Sequence, residues 1–231
     1  GSLLLSLRPF FLLTLTVLLL VAVEILMPGP GMWKQPMALF YRLAMVPGGN
    51  SDLWVNYPVL PWLALVTLGL AYGRWLVERQ EQAYHWALWL GLALVLAALL
   101  LRTADGFGNI RPRPGDTWVG FFSLVKYPPS VTFIFFTLGV GLVTLRMLDM
   151  AGDTIRKVLR PLSVFGRVPL FFYLVHLFAY LALGHRVAPS GTDLAVMLAL
   201  WFVGLLSLFP LWLWFGIFID RQPVRALLQF F

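Results

Sequence analysis

Six long apolar stretches decide what this chain can become. They run from about Phe10 to Met27, Pro58 to Val77, His85 to Leu101, Pro129 to Leu145, Val168 to Leu183 and Leu194 to Ile219. A helix needs about 17 to 25 apolar residues to cross the hydrocarbon core of a bilayer, and each stretch meets or approaches that length. The stretches are continuously apolar rather than alternating, which argues against transmembrane β-strands. Of the 231 residues, 60% are hydrophobic and 12% charged. A soluble domain carries roughly 25% charged residues, so this chain lacks the polar surface to face water all round. The expected fold is all-α: a polytopic transmembrane helix bundle of about six spans, forming one integral-membrane domain. Pro210 is expected to kink the last span.

The charges are unbalanced, with 17 Lys and Arg against 10 Asp and Glu. The basic residues fall between the apolar stretches, where head groups and topology signals use them, so nucleic acid is not an expected partner. Sorting them onto alternate sides of six spans gives 10 on the side of the chain ends and 7 on the other. The richer side is expected to be cytoplasmic, which places both ends there. The absence of cysteine excludes a disulfide, a thiol nucleophile and a Cys-type zinc site. The three histidines, His85, His176 and His185, are too scattered to suggest a metal centre. No small-residue cleavage pattern follows the first stretch, which therefore reads as a span rather than a removed signal peptide. The opening Gly-Ser-Leu-Leu-Leu, without methionine, suggests a chain cut from something longer.

Two connections at the outer side are long, residues 28–57 and 102–128, and both are rich in Pro, Gly and aromatics. Long connections of this kind are commonly functional, and their apolar residues point to packing on the membrane face or over a cavity. The second ends in "VKYPPSVTFIFF", residues 125–136. Proline is tolerated in the first turn of a helix, where backbone N–H groups lack partners, so Pro128 and Pro129 are expected to open the fourth span. Lys126 and Tyr127 then lie at head-group level. Either they anchor the interface by snorkelling and aromatic-belt contacts, or they rim an outward-facing cavity. "VFGRVPLFFYLVH", residues 164–176, has a similar grammar on the inner side. There Pro169 starts the helix and His176 lies about two turns inside, on one face with Phe172 and Tyr173. An ionisable group at membrane depth is a site hypothesis by default, against which stands a plain hydrogen bond to a neighbouring helix. Glu24, close to Pro28, is expected to be solvated. Gly69 and Gly73 form a GxxxG spacing expected to let two helices approach closely. The basic group Arg146, Arg156, Lys157 and Arg160 suits cytoplasmic anchoring, and equally an anionic phosphate-bearing cosubstrate.

Together, "NYPVLPW" followed by Gly69 and Gly73, "VKYPPS" followed by "FTLG", and "FGRVPLFFYLVH" occur in an order that resembles bacterial membrane proteins related to heparan-α-glucosaminide N-acetyltransferase. The resemblance covers roughly residues 56–183. Upstream helices of that family, including an Asp-x-x-Arg-Gly-like segment and the histidine proposed for catalysis in the animal enzyme, are not in this sequence, and the end "FIDRQPVRALLQFF" lacks a lysine-rich tail. The resemblance implies acetyl transfer across a bacterial inner membrane, from cytoplasmic acetyl-CoA to an amino sugar or other acceptor on the opposite side. In that scheme His176 is the base or supports one, Arg167 with Arg156, Lys157 and Arg160 binds the CoA phosphates, and Lys126, Tyr127, Tyr57 and Tyr173 contact the acceptor. The implied partners are the bilayer, acetyl-CoA and a glycan or amino-sugar acceptor, with a homodimer left open. A transporter or flippase, and a structural subunit without catalysis, are the competing classes.

Overall fold

A computed structural model describes residues 4, 6–49, 53–159, 162–163, 166 and 169–220. Six helices in it are long and apolar enough to cross a membrane, and they are joined by short helices and one two-stranded ribbon. The chain divides into two compact units, residues 1–150 and 151–231.

The first unit holds four of the long helices. α1 (Pro9–Leu26) begins on a proline, whose fixed φ suits a first helical position. A single 3-10 turn (Pro30–Met32) and α2 (Leu39–Ala44) follow, then β1 (Gly48–Gly49) paired antiparallel with β2 (Trp54–Val55). α3 (Val59–Glu78) and α4 (Gln80–Ala104) are separated by Arg79 alone, because the polar "RQEQAYH" is drawn into helix rather than left as a loop. α4 therefore extends beyond the expected apolar stretch at both ends. It stops at Asp105, which adopts the left-handed conformation (φ 50°) and donates its N–H to Leu101, a geometry that Asp tolerates better than most residues. α5 (Trp118–Phe122) leads into α6 (Val131–Met150).

Two seams hold these helices together. Along the first, α1 meets α3 through Ala64, Thr67 and Ala71, and the Thr16 and Thr67 hydroxyls lie 2.8 Å apart, both buried. Gly69 and Gly73 lie on the other side of α3, about half a turn away on the helical wheel. A Cβ placed on either would find no atom within 4 Å, so the expected close approach is not made there. It occurs instead along the second seam, between α4 and α6. A Cβ on Gly91 would sit 2.7 Å from the Gly139 carbonyl oxygen, and one on Gly139 would sit 2.8 Å from that of Gly91. Small residues that bring backbones into contact are a common means of joining helices in lipid, where hydrophobic burial supplies little drive.

The prolines of "VKYPPS" are also placed differently from expectation. They form a turn ahead of α6, and Ser130 is the capping residue, its Oγ accepting from Phe133 N–H at 3.1 Å. Serine satisfies an otherwise orphaned helix-start donor, so the helix begins after it and leaves the prolines outside.

In the second unit, α7 (Asp153–Leu159) precedes two long helices, α8 (Pro169–Val187) and α9 (Leu194–Asp220). α9 continues as helix through Pro210. Tyr180 of α8 lies over Gly204 of α9, where a Cβ would come within 2.4 Å of its ring, and donates its hydroxyl to the Trp201 carbonyl. Phe171 stacks on Phe215, ring centroids 3.8 Å apart, and Phe172 packs against the buried Trp212.

Candidate functional site

α1 and α4 finish at the end of the first unit where α3 and α6 begin, and the two long connections cover that end. Here "NYPVLPW" and "VKYPPS", separated by some 70 residues of sequence, come together. The Tyr57 and Tyr127 rings are 5.5 Å apart, edge to face, with their hydroxyls 3.4 Å apart. Trp62 completes a triangle at 5.1 Å from Tyr57 and 6.2 Å from Tyr127. The Lys126 ammonium lies 5.2 Å from the centre of the Tyr127 ring, within cation–π range. Lys126, Tyr57 and Tyr127 are all exposed, while the Trp62 indole nitrogen is buried and lacks a hydrogen-bond partner among the described residues. The arrangement is an open aromatic platform with one cation at its edge. Trp62 was not singled out in the sequence, although its place in "NYPVLPW" on the first turn of α3 was a usable signal.

Beside the platform lies a polar network that the sequence did not reveal. Arg102, at the last turn of α4, is 2% exposed. It donates to the Phe121 carbonyl at 2.7 Å, Gly120 at 2.9 Å, Ser123 at 3.2 Å and the Asn109 side-chain oxygen at 3.0 Å. Asn109 in turn donates to the Leu101 carbonyl at 2.8 Å, and Thr132 of α6 donates to the Gly108 carbonyl at 2.9 Å. Gly108 holds φ at +88°, a conformation that a side chain would strain. Its N–H donates to Glu24 Oε1 at 2.5 Å. Glu24 is therefore not simply solvated: residues 105–112 fold back over the end of α1, half-bury the carboxylate and bond it. Glu24 and this segment line a cavity of about 280 Å³.

The second unit carries the other predicted residues. His176 stacks on Phe172, ring centroids 4.9 Å apart and 14° from parallel, with Tyr173 at 5.7 Å and Tyr180 at 6.3 Å. Its Nδ1 lies 2.8 Å from the Phe172 carbonyl. A carbonyl only accepts, so in the neutral ring Nδ1 carries the hydrogen and Nε2 keeps the lone pair. Tyr173 is half exposed. Arg156 and Lys157 are exposed on the last turn of α7. Arg160 and Arg167 lie outside the described residues. Arg146, in the first unit, is paired with Asp149 at 2.5 Å. That pair borders a second and wider basin of about 620 Å³, lined also by Gln80, Gln82, Tyr84 and His85.

Polytopic helical architecture and six apolar spans define an integral membrane protein. No protein-family model, curated protein or solved structure matches the chain.

Proposed function

We propose that the chain belongs to a membrane-embedded acyltransferase resembling heparan-α-glucosaminide N-acetyltransferase, in a bacterial inner membrane with both chain ends cytoplasmic. It would move an acetyl group from cytoplasmic acetyl-CoA to an amino sugar or a similar acceptor on the other side. The supporting observation is the convergence of two separate motifs of the resemblance on one platform, Tyr57, Trp62, Tyr127 and Lys126. Aromatic faces with a few polar groups are the usual lining of small-molecule sites, and the apolar faces of a sugar ring pack well on them.

In the reaction, the acceptor amine nitrogen attacks the thioester carbonyl. An amide bond forms, the carbon–sulfur bond breaks, CoA leaves as thiolate, and the amine proton passes to a base. His176 with its lone pair on Nε2 fits that role, and the proton can then return to the thiolate to give the CoA thiol. Arg156 and Lys157, with Arg160 and Arg167, are the cations assigned to the CoA phosphates.

The test is the full chain in proteoliposomes, with radiolabelled acetyl-CoA on the side of the chain ends and glucosamine on the other. The expected result is N-acetylglucosamine formed only with both present, and a rate lowered about 10²- to 10⁴-fold by His176→Ala. Failure to bind CoA together with failure to label glucosamine overturns the proposal. Uptake of glucosamine without acyl donor would identify a transporter. Unchanged cellular function after alanine replacement at Lys126, Arg167 and His176 would identify a structural subunit.

A further inference from the structure

Each of the two long connections carries one short helix whose apolar side is left uncovered. In α2 the exposed side chains are Leu39, Phe40 and Leu43, with Phe40 83% exposed; in α5 they are Trp118, Val119 and Phe122, with Trp118 at 73%. The polar requirements of both helices are met on the inward side. The one charged residue of α2, Arg42, is buried, and α5 has none. At the start of α5 the Thr117 hydroxyl accepts the Gly120 N–H at 3.1 Å, and at its end Arg102 donates to the Gly120, Phe121 and Ser123 carbonyls. A helix end in water can leave such carbonyls to solvent. One set in lipid must find its donors within the protein.

Both helices stand alongside the ends of spans rather than beyond them. Phe122 packs on Phe136 of α6, ring centroids 5.7 Å apart. Phe136 follows the first residue of α6, Val131, by five places, which is about 7.5 Å along the helix at about 1.5 Å per residue. Val140, one turn further on the same side of α6, is also exposed, so the apolar side of α5 runs on into that of the span. Met45 and Val46, just after α2, pack on Val23, three residues short of the end of α1, and the Tyr41 hydroxyl donates to the Leu26 carbonyl at that end. Six large apolar side chains on two short helices without an exposed charge are a poor fit for water. Among the described residues, the exposed charges of the two connections are Lys34, Arg111 and Lys126 against Asp116 alone, an excess of cations that suits lipid phosphates. Trp is also enriched at that level of a bilayer. We propose that α2 and α5 are interfacial helices whose partner is the leaflet at this end of the first unit. Their exposed side chains lie where head groups meet acyl chains, and Lys34, Arg111 and Lys126 reach the phosphates. Because Lys126 and Tyr127 follow α5 closely in the chain, seating α5 in this way holds the aromatic platform at head-group level. The seat needs neither acyl donor nor acceptor, so its test is independent of the acyl-transfer reading.

The chain contains no cysteine, so a single introduced cysteine takes a spin label at one chosen place. Phe40→Cys and Val119→Cys label the two helices, and Glu81→Cys, exposed in the first turn of α4, serves as the reference in water. With the full chain in liposomes of phosphatidylcholine and phosphatidylglycerol, power saturation measures how often each label meets oxygen, which concentrates in lipid, and a nickel chelate, which stays in water. The oxygen-to-nickel ratio at positions 40 and 119 should be severalfold that at position 81. Leu43→Cys and Trp118→Cys lie on the same two sides and should repeat the result, which keeps the test open where one variant fails to fold. A nickel-dominated label on either helix means that water covers that side, and it overturns the proposal. Labels shielded from both reagents mean that protein covers it, from the rest of the chain or from a second copy, and overturn it equally.

Discussion

Arg42 and Arg102 occupy comparable places: each stands in the last turn of a helix, turns inward and collects carbonyl oxygens, Arg42 from residues on both sides of its short helix and Arg102 from the connection that follows. Arg42, 7% exposed, donates to the carbonyls of Pro47, Trp33 and Gln35 at 3.2, 3.2 and 2.9 Å. Around it the connection 28–57 closes over an apolar cluster of Val23, Met45 and Val46, with Met27, Trp33, Tyr41 and Leu60 packed against it. Arg102 organises the connection 102–128 with one more bond, but its neighbours are Asn109, Thr132 and Asp105, and the result is a polar network beside a cavity. One connection is a plug and the other frames a cavity. A planar guanidinium with five donors can serve a bent backbone as a hub without a dedicated carboxylate. The side chains around it decide whether the folded loop is closed or receptive.

The largest expected effect is at the polar hub. Arg102→Met removes a donor from three carbonyls and the Asn109 oxygen, of which Gly120 keeps the Ser123 N–H and Asn109 the Thr132 hydroxyl while the Phe121 and Ser123 carbonyls lose theirs. It should lower stability by about 3 kcal/mol or more, given the cost of buried unmatched acceptors. Thermal unfolding in detergent measures this, and limited proteolysis should show new cleavage within residues 105–123. Arg42→Met should follow at about 2 kcal/mol, because the apolar cluster still packs. A loss equal to or greater than that of Arg102→Met would reverse the ranking of the two hubs. Thr132→Val removes the hydroxyl donated to Gly108 while keeping shape, and should cost roughly 1 to 2 kcal/mol. Amide exchange should quicken in residues 105–112 and stay unchanged in residues 39–47; a rise in both would mean that the two connections form one cooperative unit. Lys126→Gln, exposed on the platform, should change stability by no more than about 0.5 kcal/mol. A larger loss would place Lys126 in the framework rather than on a binding surface.

The six spans were legible because apolar length is a local property, read from consecutive residues. The cap chemistry was partly legible: Pro169 does open α8, whereas at α6 the serine after the two prolines takes the cap. The glycine contacts were not. The spacing of Gly69 and Gly73 advertised a helix contact, but the face that α3 turns to α1 is set by Ala64, Thr67 and Ala71. Gly91 and Gly139 each stand without a GxxxG partner at the contact, and only the crossing of α4 and α6 gives them their role. The resemblance grouped Lys126, Tyr127, Tyr57 and Tyr173 at the acceptor; the fold brings the first three to one place with Trp62, while Tyr173 belongs to the second unit.

By itself, then, the sequence determined that this chain is a bundle of apolar helices with two long, aromatic-rich connections at one end, since solvent exclusion acts on every residue of a run alike. The tertiary structure alone decided which charges leave water. Arg42, Arg102 and Glu24 read as topology signals or solvated groups until the loops that bond them are folded. Arg42 and Arg102 are buried and Glu24 half-buried because folded loops turn backbone groups onto them, from 5 to 9 residues away for Arg42, 18 to 21 for the carbonyls on Arg102 and 84 for Glu24. No helical or strand periodicity encodes that match.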